Sequence, residues 1–261
     1  MSKDILTVKW LGINSFAFRF GGKVILLDPC VTRGDSAMLS DPALVKKYVP
    51  EADVIFVSHS HWDHLADVPE IVRNTGAHVY GSETTAFILR YYQIPEENIH
   101  VIRAGDKVRL DHGLTVDVIE SRHMKLAPDW TESFLHDVPS QIAVRTDMPS
   151  GDVFALHFHF GEIDLLNLGS ANMHPPAIHG VATDYFFCGI SRYKDGFPQM
   201  VREHIAFKTF VPTHHDDFKT RPLTDFVLRN DLERFTAEYH GLRCLELPPL
   251  REIKLEILNH R

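Results

Sequence analysis

Between Asp53 and Leu65 the chain reads Asp-Val-Ile-Phe-Val-Ser-His-Ser-His-Trp-Asp-His-Leu, which sets His59, His61, Asp63 and His64 within six positions. Imidazole and carboxylate are the ligands that borderline divalent ions such as Zn²⁺ take. His59 and His61 stand two apart and can point the same way from an extended backbone. Asp63 and His64 follow where the chain turns into a helix through Leu65. One tight loop can thus offer two ligands to one ion and two to a neighbour. A polar loop at a strand end rarely gathers ligands so densely. A divalent ion held there would lower the pKa of water from about 15.7 to ~7 and supply a nucleophile for a carbonyl or phosphoryl centre.

The elements around the cluster must deliver it to one place. Val54 to Val57 is a short β-branched and aromatic run, read as a buried strand that ends at the histidines. Before it, Ile5–Leu11, Ser15–Phe20 and Lys23–Leu27 read as strands, the last two joined by Gly21-Gly22. Asp41-Pro42 opens a helix through Tyr48, with Pro50 as its stop. After the cluster the pattern predicts a helix over Val68–Asn74 closed by Gly76, a strand at His78–Tyr80 and a helix over Glu83–Tyr92. Val101-Ile102, Lys107–Leu110 and Leu114–Glu120 return to β structure, with Asp111-His112-Gly113 as a hairpin turn. Val153–Phe160 and Ile163–Leu168 form a hairpin about Gly161-Glu162, and Val181–Phe187 adds a strand. Helical periodicity marks Pro198–Phe207 and Leu223–Tyr239, and Arg251–Leu258 alternates as a last strand. Two sheets packed face to face with helices outside fit this order.

His59-Ser-His61-Trp-Asp63-His64 resembles the His-x-His-x-Asp-His signature of the metallo-β-lactamase-fold hydrolases. Val8-Lys-Trp-Leu-Gly-Ile-Asn-Ser-Phe and Val24-Ile-Leu-Leu-Asp28-Pro29 are similar to the branch that holds ascorbate-6-phosphate-lactonase-like enzymes. The resemblance runs from Thr7 to Phe218. It implies an α/β fold, a four-layer αββα sandwich, with residues 1–261 as a single metallo-hydrolase domain. It implies further ligands too. His123, at the end of a predicted strand and after Gly105-Asp106-Lys107-Val108, would join His59 and His61 on a first metal. Phe210-Val-Pro-Thr-His214-His215 resembles the family's Pro-x-His element, which puts His214 on a second metal with Asp63 and His64, and leaves His215 as its neighbour. Asp63 is the catalytic candidate, as general base or proton shuttle. The implied cofactor is Zn²⁺, one or two ions, with Mn²⁺ or Fe²⁺ as substitutes.

The chain departs from the family at one position. Where a Gly-Asp normally supplies a carboxylate that bridges both metals, Leu166-Asn-Leu-Gly169-Ser170 puts Ser170. Two dications ~4 Å apart repel by about 17 kcal/mol at an effective dielectric of about 20. A neutral hydroxyl leaves that repulsion uncompensated, so unequal occupancy is expected. Asn172, His174 or Asp216 nearby, or Asp164 or Asp184 from elsewhere, are the groups that could restore the second position.

Composition bounds the rest. The 261 residues are 44% apolar and 24% charged, an ordinary globular balance with length enough for a sizeable core. A formal charge of −8 with no Lys/Arg-rich insert argues against a nuclease or phosphodiesterase acting on nucleic acid. A small-molecule substrate is expected instead, an anionic ester, lactone or phosphoester, with no membrane partner and a homo-oligomer left open. A degenerate, non-catalytic metal-binding member is the other alternative, and Ser170 favours it. Three well-separated cysteines, Cys30, Cys188 and Cys244, point to a reducing compartment. With no apolar run of membrane length and no signal-peptide core in Met1–Ser15, the expected location is cytoplasmic. The chain has 17 histidines and the metal reading uses five, so most need another explanation. For His157 and His159, a half-buried strand with phenylalanines on its other face suffices. Trp62, Trp130 and Phe134 could wall a pocket, and Asp129–Ser140 could form a loop over it.

Overall fold

Apolar residues alternate along the first three strands, and that alternation decides which face each buries. A computed structural model describes residues 5–33, 40–125 and 141–258. β1 (Thr7–Gly12), β2 (Ser15–Phe20) and β3 (Lys23–Leu27) form an antiparallel meander. Val8, Trp10, Phe16, Phe18, Ile25 and Leu27 turn to one side of it and pack into a common core. Helical crossovers then make the sheet parallel. α1 (Pro42–Tyr48) leads to β4 (Val54–Phe56), α2 (Trp62–Leu65) and α3 (Val68–Thr75) lead to β5 (His78–Gly81), and α4 (Glu83–Tyr91) leads to β6 (Ile99–Val101). Asp41 caps α1 by accepting the Ala43 and Leu44 N–H groups, and Gly76, at φ 73°, ends α3 in the left-handed turn that glycine favours.

The second sheet holds β7 (Lys107–Arg109), β8 (Leu114–Glu120), β9 (Phe154–Phe160), β10 (Ile163–Leu168), β11 (Val181–Gly189) and β12 (Ile205–Thr213), in the order β12-β11-β10-β9-β8-β7. β13 (Glu252–Lys254) pairs with β1 and completes the first sheet, of order β13-β1-β2-β3-β4-β5-β6. Phe158, Phe160, Leu165 and Phe187 of the second sheet interleave with Phe16, Phe18 and Phe56 of the first. α1, α3 and α4 cover the outer face of the first sheet, while α5 (Pro175–Ile178), α6 (Phe197–His204) and α7 (Asp231–Glu238) cover part of the second. The αββα layering expected from the sequence is the architecture found.

Parallel strands put their carboxyl ends on one side, where open α/β sheets build sites. Asp28 follows the end of β3, Ser58-His59 come just after β4, His123 after β8, Ser170 after β10 and His214 after β12.

Three expectations change. The helix expected over Pro198–Phe207 stops at His204, and Ile205–Thr213 is a strand parallel to β11. Its Ile, Phe, Thr and Val side chains fit a pleated surface better than a helix. Only Asp231–Glu238 is helical within Leu223–Tyr239, because Leu228 and Arg229 are drawn into backbone pairing with Asp216 and His215. The last strand spans only Glu252–Lys254. Trp130, Phe134 and the Asp129–Ser140 loop lie outside the described residues. No helix among the described residues is long and apolar enough to cross a membrane.

Candidate metal centre

Two adjacent groups of ligand-type side chains sit at the carboxyl ends of the strands. His59, His61 and His123 bring one ligand atom each within 4.8 Å of one another, and Asp63, His64 and His214 do the same. The His59 and His64 rings, 3.8 Å apart at their centroids, join the groups. His59 leaves β4 and is buried. His61 stands at the N-cap of α2, and that helix carries Asp63 and His64 on its first turn. His123 arrives from β8 of the other sheet, its ring centroid 4.6 Å from that of His61. His214 follows β12 with φ at 57°, a left-handed conformation that costs a non-glycine residue and is held here by its N–H donating to the Ile13 carbonyl at 2.8 Å.

Hydrogen bonds decide which ring nitrogen each histidine presents. A carbonyl only accepts, so His123 must donate from Nδ1 to the Met124 carbonyl, 2.7 Å away, which leaves Nε2 as the basic nitrogen of the neutral ring. His64 Nδ1 donates to Asp28 Oδ2 at 2.7 Å. Ser58 Oγ gives its proton to the same carboxylate at 2.5 Å and so accepts from His59 Nδ1 at 3.1 Å. His59 Nε2, sealed from solvent, is left without a partner. A buried lone pair with no donor is costly, and a cation is what satisfies it. The donor set therefore fits a divalent metal.

Charge agrees. Burial pushes His59 well below its ordinary range, His61 down to about 4 and His123 down to about 3, so all three stay neutral, the form that binds metal. Burial works against the Asp63 charge, but His64, His214 and His61 around it hold its carboxyl well below the usual carboxylate range. For His64, burial is outweighed by Asp28 and Asp63, which raise it.

Under the second group lies a buried polar relay between the sheets. Asn14 Nδ2 donates to Asp28 Oδ2 at 2.7 Å and to Asn167 Oδ1 at 3.0 Å. Asn167 Nδ2 and Thr213 Oγ1 donate back to Asn14 Oδ1 at 2.9 and 3.0 Å. Asp28 and Asn14 lie in the two segments that carry the resemblance, but nothing in the sequence gives them, Ser58 or Asn167 a part in the site. An isolated asparagine on a β-turn or strand carries no sign of what it faces.

Ser170 lines the same cavity as His61, Asp63, His123 and His214. Its Oγ accepts the Met124 N–H at 3.0 Å. The groups that could have restored a bridging carboxylate are engaged elsewhere. Asn172 Nδ2 donates to the His123 carbonyl, His174 leans toward Glu120, and Asp216 pairs with buried Arg33. Asp164 binds His159, and Asp184 binds Lys208. Asp63 is the sole carboxylate in either group among the described residues. His215 turns away and stacks on Trp10, rings 11° from parallel. Cys30 is fully buried, and burial pushes its thiol up, which makes it a core residue rather than a nucleophile.

The cavity over the two groups measures ≈ 660 Å³. Trp62 and Phe218 form part of its wall, their centroids 5.7 Å apart. Arg192, Lys219 and Arg229 line it, against Asp63 and Asp147.

The pattern of the β-lactamase superfamily domain matches residues 23–152. A UPF0173 metal-dependent hydrolase of Staphylococcus aureus (strain JH9) is 30% identical over 215 residues, 79% of this chain and 84% of that protein. Among solved structures, a metallo-hydrolase from the archaeon Ignicoccus hospitalis superposes with a TM-score of 0.61 at 16% identity, covering 96% of this chain and 98% of its own. A metallo-β-lactamase-fold protein of Bacillus subtilis does so at 0.62 and 13% identity, covering 97% and 100%. These two likenesses concern the fold.

Proposed function

The chain belongs to the UPF0173 metal-dependent hydrolases of the β-lactamase superfamily, and on that premise we propose that it cleaves a small anionic ester, lactone or phosphoester. His59, His61 and His123 would hold one ion, and Asp63, His64 and His214 a second, with Zn²⁺ the best match to this donor set. A divalent ion in such a site acidifies water and polarises the scissile bond. The protein's own groups do the remainder. Asp63, ionised and beside His214 at 3.3 Å, accepts and passes on the proton. Trp62 and Phe218 exclude water from one side of the substrate.

One observation carries the substrate class. Three cationic side chains, Arg192, Lys219 and Arg229, line the cavity, and Ser170 withholds the negative charge that a bridging aspartate would bring. A negatively charged substrate gains most from that field. The cavity's size suits a small molecule rather than a polymer. Free Cys30, Cys188 and Cys244 are in keeping with a cytoplasmic location.

Assays of purified protein with Zn²⁺, Mn²⁺ or Fe²⁺ against a lactone, a carboxylic ester and bis-p-nitrophenyl phosphate test this reading. Turnover is expected, faster for anionic than for neutral analogues, and abolished by His61→Ala or His123→Ala with the fold intact by circular dichroism. Full turnover in either variant would remove the site assignment. Silence on every substrate with every metal would favour a metal-holding protein without turnover, the reading that Ser170 supports.

A further inference from the structure

On the outer face of the second sheet, away from the strand ends that carry the active centre, a third set of ligand-type groups converges. β9 places His157 and His159 two residues apart on the face opposite Phe158 and Phe160. In the β8–β9 ladder Asp117 stands directly across from His157, and in the β9–β10 ladder Asp164 stands directly across from His159. Direct cross-strand neighbours bring their Cβ atoms to about 5 Å. The result is one ligand atom each from Asp117, His157 and His159 within 4.8 Å of one another.

The orientation of the rings is specific. Asp164 Oδ1 lies 2.6 Å from His159 Nδ1, which turns Nε2 of that ring toward Asp117 Oδ2, 3.1 Å away. A carboxylate behind a histidine, with the opposite nitrogen presented forward, is how proteins orient metal-binding imidazoles. Beside it, His157 is 8% exposed, and its Nε2, sealed from solvent, has no hydrogen-bond partner. A half-buried strand accounts for the alternation of these residues but leaves that lone nitrogen unexplained. Lys107 Nζ, 2.8 Å from Asp117 Oδ1, occupies the far side of the carboxylate and leaves Oδ2 for the cluster.

We propose that His157, His159 and Asp117 form a second, non-catalytic site for a borderline divalent ion such as Zn²⁺, with solvent completing its coordination. Ligands on one zinc stand about 3–4 Å apart, so closing the site asks for a shift of roughly 1 Å, within reach of the part-exposed His159 ring. Asp117 precedes Glu120, the last residue of β8, by three positions, or about 10 Å along the strand. The ion would tie β8 to β9 without touching substrate. Its binding is thus separable from catalysis.

The test uses the whole protein. Zinc bound at equilibrium is counted by mass spectrometry as free zinc rises through the micromolar range, for wild type, His159→Ala and Asp117→Asn. Each variant should hold one zinc fewer than wild type while hydrolysing substrate at the wild-type rate. In parallel, imidazole NMR of wild type should show the His157 and His159 ring signals moving as zinc is added, and this readout needs no variant to fold. Equal zinc counts across the range, or unmoved ring signals, would overturn the site.

Discussion

His64 Nδ1 stands 2.7 Å from Asp28 Oδ2, and neither side chain meets solvent. The same oxygen takes the Ser58 hydroxyl at 2.5 Å, and Ser58 in turn takes the proton of His59 Nδ1. One carboxylate thereby sets the tautomer of a histidine in each ligand group, directly in one and through a hydroxyl in the other.

Asp28→Ala should weaken zinc binding ten- to a hundredfold, the usual cost of losing a group that orients a ligand. It should also destabilise the fold, because the Ser58 N–H, the Asn14 amide and His64 Nδ1 lose a buried acceptor worth about 1–3 kcal/mol each. Asp28→Asn separates the two effects. Asparagine tolerates the φ of 43° at this position and keeps an acceptor, but it lacks the charge. Competition against a metal chelator reads the affinity, and unchanged affinity in Asp28→Ala would contradict the role assigned to this carboxylate.

Ser170 leaves the two ligand groups without a shared negative charge. Exhaustive dialysis should therefore leave a single tightly held ion at these two groups, the second filling only when the metal is supplied in excess. Ser170→Asp restores the charge beside both groups and should convert the weak position into a tight one. Elemental analysis after dialysis measures both proteins. Two tightly held ions in His159→Ala, which lacks the outer site, would refute unequal occupancy.

Arg33 and Asp216 make an ion pair with side chains 1% and 0% exposed. Asp216 Oδ1 also takes the Ile13 N–H at 2.9 Å, next to the Ile13 carbonyl that holds the His214 backbone. Removing one member of a buried pair strands the other charge, so Arg33→Ala should cost about 3–5 kcal/mol in denaturant unfolding. The strained turn at His214 should relax as well, and metal binding at the second position should weaken with it. A loss under about 1 kcal/mol would mean that water reaches the pair.

Acid should destabilise the chelated protein. Burial holds His61, His157 and His215 at about 4 and His123 at about 3, all below the ordinary histidine value of 6.5. The unfolded chain therefore takes up protons first as pH falls, and stability is complete above about 6.5 and declines toward 4. Melting temperatures recorded in chelator between pH 7.5 and 5 should fall steadily. A flat profile would show that these rings are already open to water.

Short-range chemistry in the chain determined much of this protein. The His59–His64 cluster, the strand that feeds it, the β1–β3 meander and the Phe154–Leu168 hairpin all follow from alternation and turn residues, which act between near neighbours. The capped helix at Asp41 and the glycine stop at Gly76 are equally local. What tertiary structure decided is long-range. Asn14 and Asn167 bind each other across 153 positions, and nothing near either residue marks it as half of a pair. His214 faces Asp63 while His215 stacks on Trp10, a choice between adjacent histidines made by one left-handed backbone angle and its bond to Ile13. Ile205–Thr213 becomes a strand because β11 lies beside it, and Leu223–Asn230 stays out of a helix because the His214 turn claims its backbone. Periodicity tells a side chain which way to face; only the closed fold tells it what it will meet there.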